Sequence, residues 1–238
     1  MTNIEKAQIK HNAIRKSVGD RIFDTFNTIL LLLLCFITLY PMWYVLCASF
    51  TKNSYLVAHP GAIFWPHGFN VGSYKLAFSH PLILSGYKNI LIVLAVSLPI
   101  NIALTLFCGY FLASKNVLLK KPVLFIIMFT MFFNGGMIPS YLNVRDLGLY
   151  NSLWSLILPG AMSVYNAIIC RTAIEAVPDS LTESAYIDGA NDLIIVFRII
   201  LPLIMPTIAV LLLYYGVGHW NDYWKGMIYL NDQKLYPL

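Results

Sequence analysis

Charged residues are scarce in this sequence. Asp, Glu, Lys and Arg together make up 11% of its 238 residues, while apolar residues make up 58%. Soluble globular domains carry about 25% charged residues, so the composition excludes an ordinary soluble domain. The charges that are present occur in clusters, and they leave long uncharged stretches between them. This pattern is typical of a chain that crosses a membrane several times.

The sequence also lacks the motifs of metal, cofactor and nucleotide chemistry. It has no Cys-x-x-Cys pair, so we interpret its few cysteines as small, buried apolar residues within the apolar stretches. It has no Gly-x-x-x-x-Gly-Lys-Ser/Thr loop, which is the sequence that cradles the phosphates of ATP. We therefore expect no metal, no bound cofactor and no catalytic residues in this chain. The cysteines are Cys35, Cys47, Cys108 and Cys170.

Five uncharged stretches are long enough to cross a bilayer, whose ~30 Å hydrocarbon core needs about 20 helical residues. They are residues 25–51, 89–114, 122–144, 147–170 and 199–221. A sixth uncharged stretch, residues 53–74, contains Pro60 and Pro66, and backbone groups left unpaired in lipid are costly. We interpret it as a loop outside the membrane, anchored at the interface by Phe64 and Trp65. The sequence thus predicts an all-α, polytopic membrane protein with five transmembrane helices.

The basic residues predict the orientation of these helices. Cytoplasmic loops are enriched in Lys and Arg, and most basic residues here lie at the N-terminus and in two of the connections between helices. The net charge of +5 is therefore a signal of topology, and we expect no nucleic-acid site. The sequence predicts a cytoplasmic tail, residues 1–21, and one membrane domain, residues 22–238. The basic residues on the predicted cytoplasmic side are Lys6, Lys10, Arg15, Lys16, Arg21, Lys115, Lys120, Lys121, Arg171 and Arg198.

Residues 175–198, which we call the docking loop, form an acidic segment on the predicted cytoplasmic side. Pro178 has no backbone N–H to donate and should end the helix that extends from the fourth stretch. Ser180 and Glu183 have the spacing of a capping box. This spacing predicts a short helix that runs from the box to about Asp188.

A turn divides the docking loop into two helices. Gly189 can adopt the left-handed conformation that ends the first helix, and a second helix, from Ala190 to Ile200, is predicted to run into the fifth stretch. The simplest interpretation is that Glu183 only caps a helix and Gly189 only ends one. The small residues of the loop favour a docking surface, because they let another protein approach closely. These small residues are Ser184, Ala185, Gly189 and Ala190.

The docking loop closely resembles the EAA signature of bacterial ABC-importer permeases. That signature reads Glu-Ala-Ala, three residues, Gly, then an apolar run that ends in Leu-Pro, and Ser184 replaces its first Ala here. Residues 133–139, 146–149 and 218–221 resemble the carbohydrate branch of the family, within it the permeases of lipoprotein-dependent importers of complex polysaccharides. The resemblance covers residues 21–238 and implies a sixth transmembrane helix that is missing from this chain. The matching positions are Glu183, Ser184, Ala185, Asp188, Gly189, Ala190, Leu201 and Pro202.

The resemblance implies a function and a set of partners. The chain would be the permease of an ATP-driven importer in the bacterial cell membrane, with a cytoplasmic N-terminus, and would translocate a sugar or oligosaccharide by alternating access. Cytoplasmic P-loop ATPase subunits would bind and hydrolyse the ATP, so this chain would not itself be an enzyme. The other partners would be a second homologous permease, an extracellular lipid-anchored solute-binding protein and membrane lipid. Glu183 would anchor the ATPase contact and Gly189 would set the angle between the two short helices, while Pro202 and Pro206 would end or kink the fifth helix.

Uncharged polar and aromatic residues inside the predicted helices are candidates for the cargo path, since sugars bind to aromatic faces and amide groups. The alternative is that the asparagines bridge helices and the tyrosines lie at the interface. Gly135, Gly136 and Pro139 predict a break in the third helix. His219 and Trp220 are interpreted as part of an interfacial belt. The cargo-path candidates are Asn101, Asn134, Tyr141, Tyr165 and Asn166.

Two other functions stay open from the residues alone. A permease for an amino acid or a peptide would carry the same docking loop. A membrane-embedded transferase would need acidic or basic residues clustered at a membrane face, and the only acidic cluster here is the docking loop. The assignment to sugars therefore depends on the resemblance outside the loop.

Overall fold

The computed structural model describes residues 17–115 and 117–237. The chain divides into two compact units, one that ends at Ser79 and one that begins at His80. All regular elements of the described residues are helical, which confirms the predicted all-α class. Residues 1–16 of the predicted tail, with most of its basic side chains, lie outside the described residues.

One long apolar helix, α1 (Val18–Ser49), dominates the first unit. Its first turn is closed by the backbone N–H of Ser17, which donates to Oδ2 of Asp20 at 2.8 Å. Arg21, predicted to end the tail, already lies within this helix. Large apolar side chains are exposed along most of α1, as expected for a helix that faces lipid.

Two short helices, α2 (Asn53–Ala58) and α3 (Gly72–Ser79), follow α1. The residues between them fold back on the end of α1, where Nε1 of Trp43 donates to the backbone oxygen of Phe64 at 2.8 Å. The side chain of Trp65 is 70% exposed, so its ring is accessible to an interface. Residues 53–74 thus form no membrane-length helix, as predicted.

The second unit contains the remaining helices. In chain order they are α4 (Pro81–Ala113), α5 (Lys120–Phe132), α6 (Met137–Asp146), α7 (Trp154–Ile157), α8 (Val164–Glu175), α9 (Asp179–Ile187), α10 (Asp192–Leu203), α11 (Met205–Trp220) and α12 (Tyr223–Tyr229), before a 3₁₀ turn, Gln233–Leu235. The central helix is α4, which packs against both α8 and α11. Gly109 permits a close approach to α8, because a Cβ there would lie 2.9 Å from Sγ of Cys170.

Two of the predicted spans are sharply bent pairs of helices. The angle between α5 and α6 is 116°, and that between α10 and α11 is 86°. The first bend lies at Gly135 and Gly136, where the φ of Gly136 is 91°, which confirms the predicted break. The second lies at Ile204, between Pro202 and Pro206, where a kink was predicted. By length and apolar character, the described residues contain two single-helix spans, or up to four spans if each bent pair counts as one.

The fourth predicted span, residues 147–170, is not one continuous helix, and on this point the prediction is wrong. The chain makes the single turn α7 and leaves helical geometry until α8 begins at Val164. Pro159 has no backbone N–H to donate, and Gly160 has a φ of 84°, which a right-handed helix does not contain. The break was hidden because its residues are as apolar as those of a span.

The main apolar core of the second unit joins α4, α8, α9, α10 and α11. Leu106, Cys170 and Ile195 are at most 2% exposed in this core. The burial of Cys170 agrees with the interpretation of the cysteines, whereas Cys35 on α1 is exposed and contradicts it. The core packs the first helix of the docking loop onto the membrane helices.

Candidate functional site

The first helix of the docking loop, α9, begins before the predicted capping box. The preceding helix ends at Glu175, Pro178 is the N-cap residue with a ψ of 130°, and Asp179 is the first helical residue. Ser180 is therefore the second residue of α9, and no side-chain hydrogen bond caps this end. The predicted capping box of Ser180 and Glu183 does not form, because an N-cap hydroxyl must precede the helix to accept its free N–H groups.

The end of α9 has the predicted turn. Gly189 has a φ of 81°, and its N–H donates to the backbone oxygen of Tyr186 at 3.0 Å. The N–H of Ala190 donates to the oxygen of Ala185 at 2.9 Å. These two bonds are those of a Schellman motif. The left-handed conformation predicted for Gly189 is confirmed, and it sets the direction in which the chain leaves α9.

The second helix of the loop starts later than predicted. Oδ1 of Asn191 accepts the N–H of Ile194 at 2.9 Å, so Asn191 is the N-cap residue and α10 begins at Asp192 instead of Ala190. An asparagine at this position is among the preferred caps. The sequence contains this cap signal, Asn191, but the predicted helix included it as an interior residue.

The Leu-Pro pair of the family signature lies at the far end of α10. Leu201 is half-buried and packs against the core, whereas Pro202 is exposed. Ile204, with a φ of −96° and a ψ of 13°, separates α10 from α11. The second helix of the docking loop, α10, thus continues up to the 86° bend between α10 and α11.

Three polar side chains fasten the docking loop to the end of α4. The carboxylate of Asp192 accepts the hydroxyl of Tyr110 at 2.7 Å and that of Tyr186 at 2.5 Å. The two hydroxyl oxygens lie 3.1 Å apart. The hydrogen bond to Asp192 raises the pKa of Tyr186, so its phenol stays protonated and continues to donate. The loop is therefore held by a defined three-residue contact, which we call the tyrosine clamp.

Other acidic residues of the loop also form contacts within the chain. Nε of Arg171 donates to Oε1 of Glu175 at 2.9 Å, one helical turn away. Asp179 forms an ion pair with Lys115, and this pair raises the pKa of Lys115. These charged side chains thus have partners within the chain, and all of them are accessible to water.

Glu183 and Asp188 are both exposed. The charge of Glu183 adds to the effect of Asp179 in raising the pKa of Lys115. Glu183 also lines an open cavity of about 830 Å³ beside the end of α4, together with Lys115 and Asp192. Protein pockets of about 300–1,000 Å³ accommodate small ligands or side chains. The surface beside Glu183 is thus concave and carries charges of both signs.

The small residues of the loop have different surroundings. Ser184 and Gly189 are exposed, and Ala190 is half-buried. Ala185 is 8% exposed and packs in the apolar core. The small size of Ala185 therefore lets α9 lie close to the bundle, and the side chain is not on the outer surface of the loop.

The two most exposed large apolar side chains of the docking loop were not predicted from the sequence. Ile187 is 87% exposed and Leu193 is 56% exposed. Large exposed apolar side chains together can mark a surface that binds another protein. The exposure of Ile187 could have been predicted from helical periodicity. Ile187 is two positions from Ala185, which is buried, and so lies on the opposite side of α9.

Four of the five predicted cargo-path residues lie in two places, and the fifth, Asn101, is buried on α4. Asn134 is at the bend between α5 and α6, where its Oδ1 accepts the N–H of Gly136 at 2.9 Å. Tyr141 is half-buried on α6, with its ring centroid 5.8 Å from that of another tyrosine. Tyr165 and Asn166 are in the first turn of α8, the former exposed and the latter 5% exposed. In the described part of the chain, no hydrogen bond or ring contact joins the two pairs.

Known proteins are similar to this chain along most of its length. It is 38% identical over 222 residues to the polygalacturonan/rhamnogalacturonan transport system permease protein YtcP of Bacillus subtilis (strain 168), which covers 92% of this chain and 76% of that protein. It is 37% identical over 227 residues to the protein LplC of the same organism, with coverages of 95% and 77%.

A solved structure of a bacterial ABC transporter involved in the import of the acidic polysaccharide alginate superimposes with a TM-score of 0.90. The match has 30% sequence identity and covers 95% of this chain and 80% of that one. Residues 9–224 match the model of a single protein family. The chain therefore belongs to the family of binding-protein-dependent transport system inner membrane components.

Proposed function

We propose that this chain is the transmembrane permease subunit of an ATP-driven ABC importer, and that it translocates a sugar or oligosaccharide into a bacterial cell by alternating access. The observation that carries this proposal is the structural likeness, over 95% of the chain, to an importer of alginate. Alginate is an acidic polysaccharide, and YtcP is named for polygalacturonan and rhamnogalacturonan. The proposed cargo is therefore a fragment of a complex polysaccharide, with an acidic fragment favoured.

The proposed partners follow from what the sequence lacks. It has no P-loop, so ATP must be bound and hydrolysed by cytoplasmic ATPase subunits. A solute-binding protein on the outer side, which we expect to be lipid-anchored, would deliver the cargo, in keeping with the binding-protein dependence that the family description states. A second, homologous permease would complete the membrane part of the importer.

The docking loop is the proposed contact with the ATPase. Glu183 and Asp188 supply exposed charge, and Ile187 supplies an exposed apolar side chain between them. A buried apolar anchor surrounded by polar contacts is a common arrangement at protein interfaces. In this proposal Ile187 enters a groove of the ATPase and Glu183 pairs with a basic group at its edge.

Movement of the loop would reach the membrane by two routes. The tyrosine clamp joins the loop to α4, and α10 joins it to α11 through the bend at Ile204. ATP binding can shift the permease between two conformations only if the ATPase binds the loop differently in each. Asn134, Tyr141, Tyr165 and Asn166 remain the proposed contacts of the cargo along the path.

Replacement of Glu183 by Ala tests this proposal. The full-length permease, purified in mild detergent from cells that express the whole importer, should bring down a P-loop ATPase identified by mass spectrometry. Glu183→Ala should lower both ATPase recovery and ATP-dependent uptake by about tenfold or more if the contact is a hot spot. Asp146→Ala is the matched control, since it removes an exposed acid from α6. Equal ATPase recovery and uptake for the two variants would refute the proposed contact.

The cargo can be tested in the same cells. Uptake of labelled oligogalacturonides should exceed uptake of labelled maltodextrins and should disappear when the permease is deleted. Uptake of maltodextrins alone would overturn the acidic cargo and leave a sugar importer. Uptake of amino acids or peptides alone would overturn the assignment to sugars.

A further inference from the structure

A stripe of buried polar side chains runs along α4 in the membrane interior. Ser97, Asn101 and Thr105 follow each other at intervals of one helical turn, and none of the three is exposed. Polar side chains are expensive inside a membrane unless they bond to other groups, and they join helices when they do. Among the described residues, Oγ of Ser97 has no hydrogen-bond partner. Asn101 and Thr105 do have partners, and these lie on the segments that pack against α4.

The first partner is the break between α7 and α8. A chain that leaves helical geometry frees backbone N–H and C=O groups, and these groups need partners at membrane depth. The hydroxyl of Tyr215, on α11, accepts the N–H of Ser163 at 2.9 Å. The same hydroxyl lies 2.6 Å from Oγ1 of Thr105. One tyrosine thus connects the broken backbone to α4.

Asn101 makes a second connection to the same break. The amide nitrogen of Asn101 faces the backbone oxygens of Ser97 at 2.8 Å and Ala161 at 3.2 Å, since this orientation gives both the nitrogen and the oxygen of the amide a partner. The amide oxygen of Asn101 then accepts a hydrogen bond from Nε2 of His219 at 2.9 Å. Asn101 is thus a helix bridge, and His219, interpreted from the sequence as part of an interfacial belt, instead bonds a fully buried side chain.

These contacts join the two membrane helices that bracket the docking loop. The chain passes from α8 into α9, and from α10 into α11. The polar contacts lie at the start of α8 and in the last two turns of α11, that is, at the ends of these helices remote from the loop. We call Asn101, Thr105, Tyr215 and His219 the polar node.

We propose that the polar node is a set of positioning residues for transport, which ties α4, the start of α8 and α11 into one unit that moves with the docking loop. This inference rests on the proposed function. Without the node, the break between α7 and α8 would lose its bonds to Tyr215 and Asn101. Movement of the loop would then deform the break instead of moving α4 and α11. ATP would then be hydrolysed without a matching movement of cargo.

Tyr215→Phe tests the proposal because it removes one oxygen atom and keeps the ring. The assembled importer is reconstituted in proteoliposomes, and uptake of labelled oligogalacturonide is divided by ATP hydrolysed. We expect this ratio to fall at least about three- to tenfold, the range for the loss of one interhelical hydrogen bond in a membrane, since the Tyr215 hydroxyl makes two. ATP hydrolysis without cargo should change less than about twofold. Tyr214→Phe is the matched control, because Tyr214 is exposed on the same helix.

A ratio for Tyr215→Phe equal to that of Tyr214→Phe would overturn the inference and leave the proposed function intact. A wild-type complex that imports none of the labelled oligosaccharide would count against the proposed function itself. A purely structural role for Tyr215 would lower uptake and ATP hydrolysis together and leave their ratio unchanged, which would also overturn the inference.

Thr105→Val provides a second variant that keeps the bond between Tyr215 and the break. Thr105 and Tyr215 bond each other through their hydroxyl groups. The ratio of uptake to ATP hydrolysis should therefore be no lower in the double variant Thr105→Val, Tyr215→Phe than in Tyr215→Phe alone. Thr172→Val is the control, since among the described residues the Thr172 hydroxyl bonds within its own helix, to the oxygen of Ile168 at 3.0 Å. Independent effects that multiply in the double variant would show that the two residues do not form a common node.

Discussion

The two ends of α8 are held in different ways. At the end near the docking loop, Glu175 pairs with Arg171, and Asp179 of the following helix pairs with Lys115, all through charged side chains with access to water. At the other end, the backbone of Ser163 bonds the uncharged, buried hydroxyl of Tyr215. Water and salt weaken the first kind of contact, whereas a backbone group left unpaired in lipid costs several kcal/mol. The loop end can therefore change its side-chain partners easily, and the membrane end cannot.

This comparison indicates that the shape of the docking loop depends on its backbone more than on its ion pairs. Gly189→Pro is therefore the most damaging change at this end. Proline fixes φ near −65° where the chain has +81°, and it also removes the N–H that bonds Tyr186. We expect uptake by cells to be lost while the permease still inserts in the membrane.

Gly189→Ala sharpens this prediction, because it keeps the N–H and adds only the strain of a left-handed alanine, about 1–2 kcal/mol. We expect it to retain part of the uptake. The control is Gly218→Ala on α11, where an added Cβ meets nothing within 4 Å and φ is not positive. Normal uptake by Gly189→Pro at normal expression would show that the turn plays no part in coupling.

Between the two ends of α8, Gly109→Ala tests how tightly α4 and α8 are packed at Cys170. The new Cβ would lie 2.9 Å from Sγ and 3.0 Å from Cβ of Cys170. Overpacking of this kind costs about 1–3 kcal/mol, so the free energy of unfolding in detergent should fall by this amount. Thermal unfolding of the purified complex measures the change.

Gly216→Ala is the control for this packing test, because nothing lies within 4 Å of its added Cβ. It should leave the unfolding temperature unchanged or raise it. If Gly109→Ala is as stable as the wild type, α4 and α8 have room to separate at Cys170, and the fold does not depend on their close packing there.

Lys115→Gln should have the smallest effect of the three. It removes the exposed ion pair with Asp179, and such pairs contribute little in water. We expect uptake to change less than about twofold, with the difference between variant and wild type smaller still at high salt. A large loss of uptake would mean that the charges of the loop determine its position, contrary to the comparison above.

Several features of the fold could be predicted because they depend on neighbouring residues. The left-handed turn at Gly189 and the break at Gly136 both use the conformational freedom of glycine, and both are confirmed. The capping box failed for a local reason too. Asp179, directly after Pro178, already starts the helix, which leaves Ser180 inside it.

The sequence by itself determined the membrane class and the family, and it predicted the docking loop, since these depend on the scarcity of charge and on a motif of adjacent residues. Only the tertiary structure decided that residues 158–163 interrupt a span and that Asn101 meets His219, 118 positions away. The sequence of an apolar stretch is the same whether its backbone groups form the hydrogen bonds of a helix or bond a side chain that is distant in the chain. A break inside a membrane is stable only if its free backbone groups find partners. Here the partner is Tyr215, and only the packing of the helices brings it to the break.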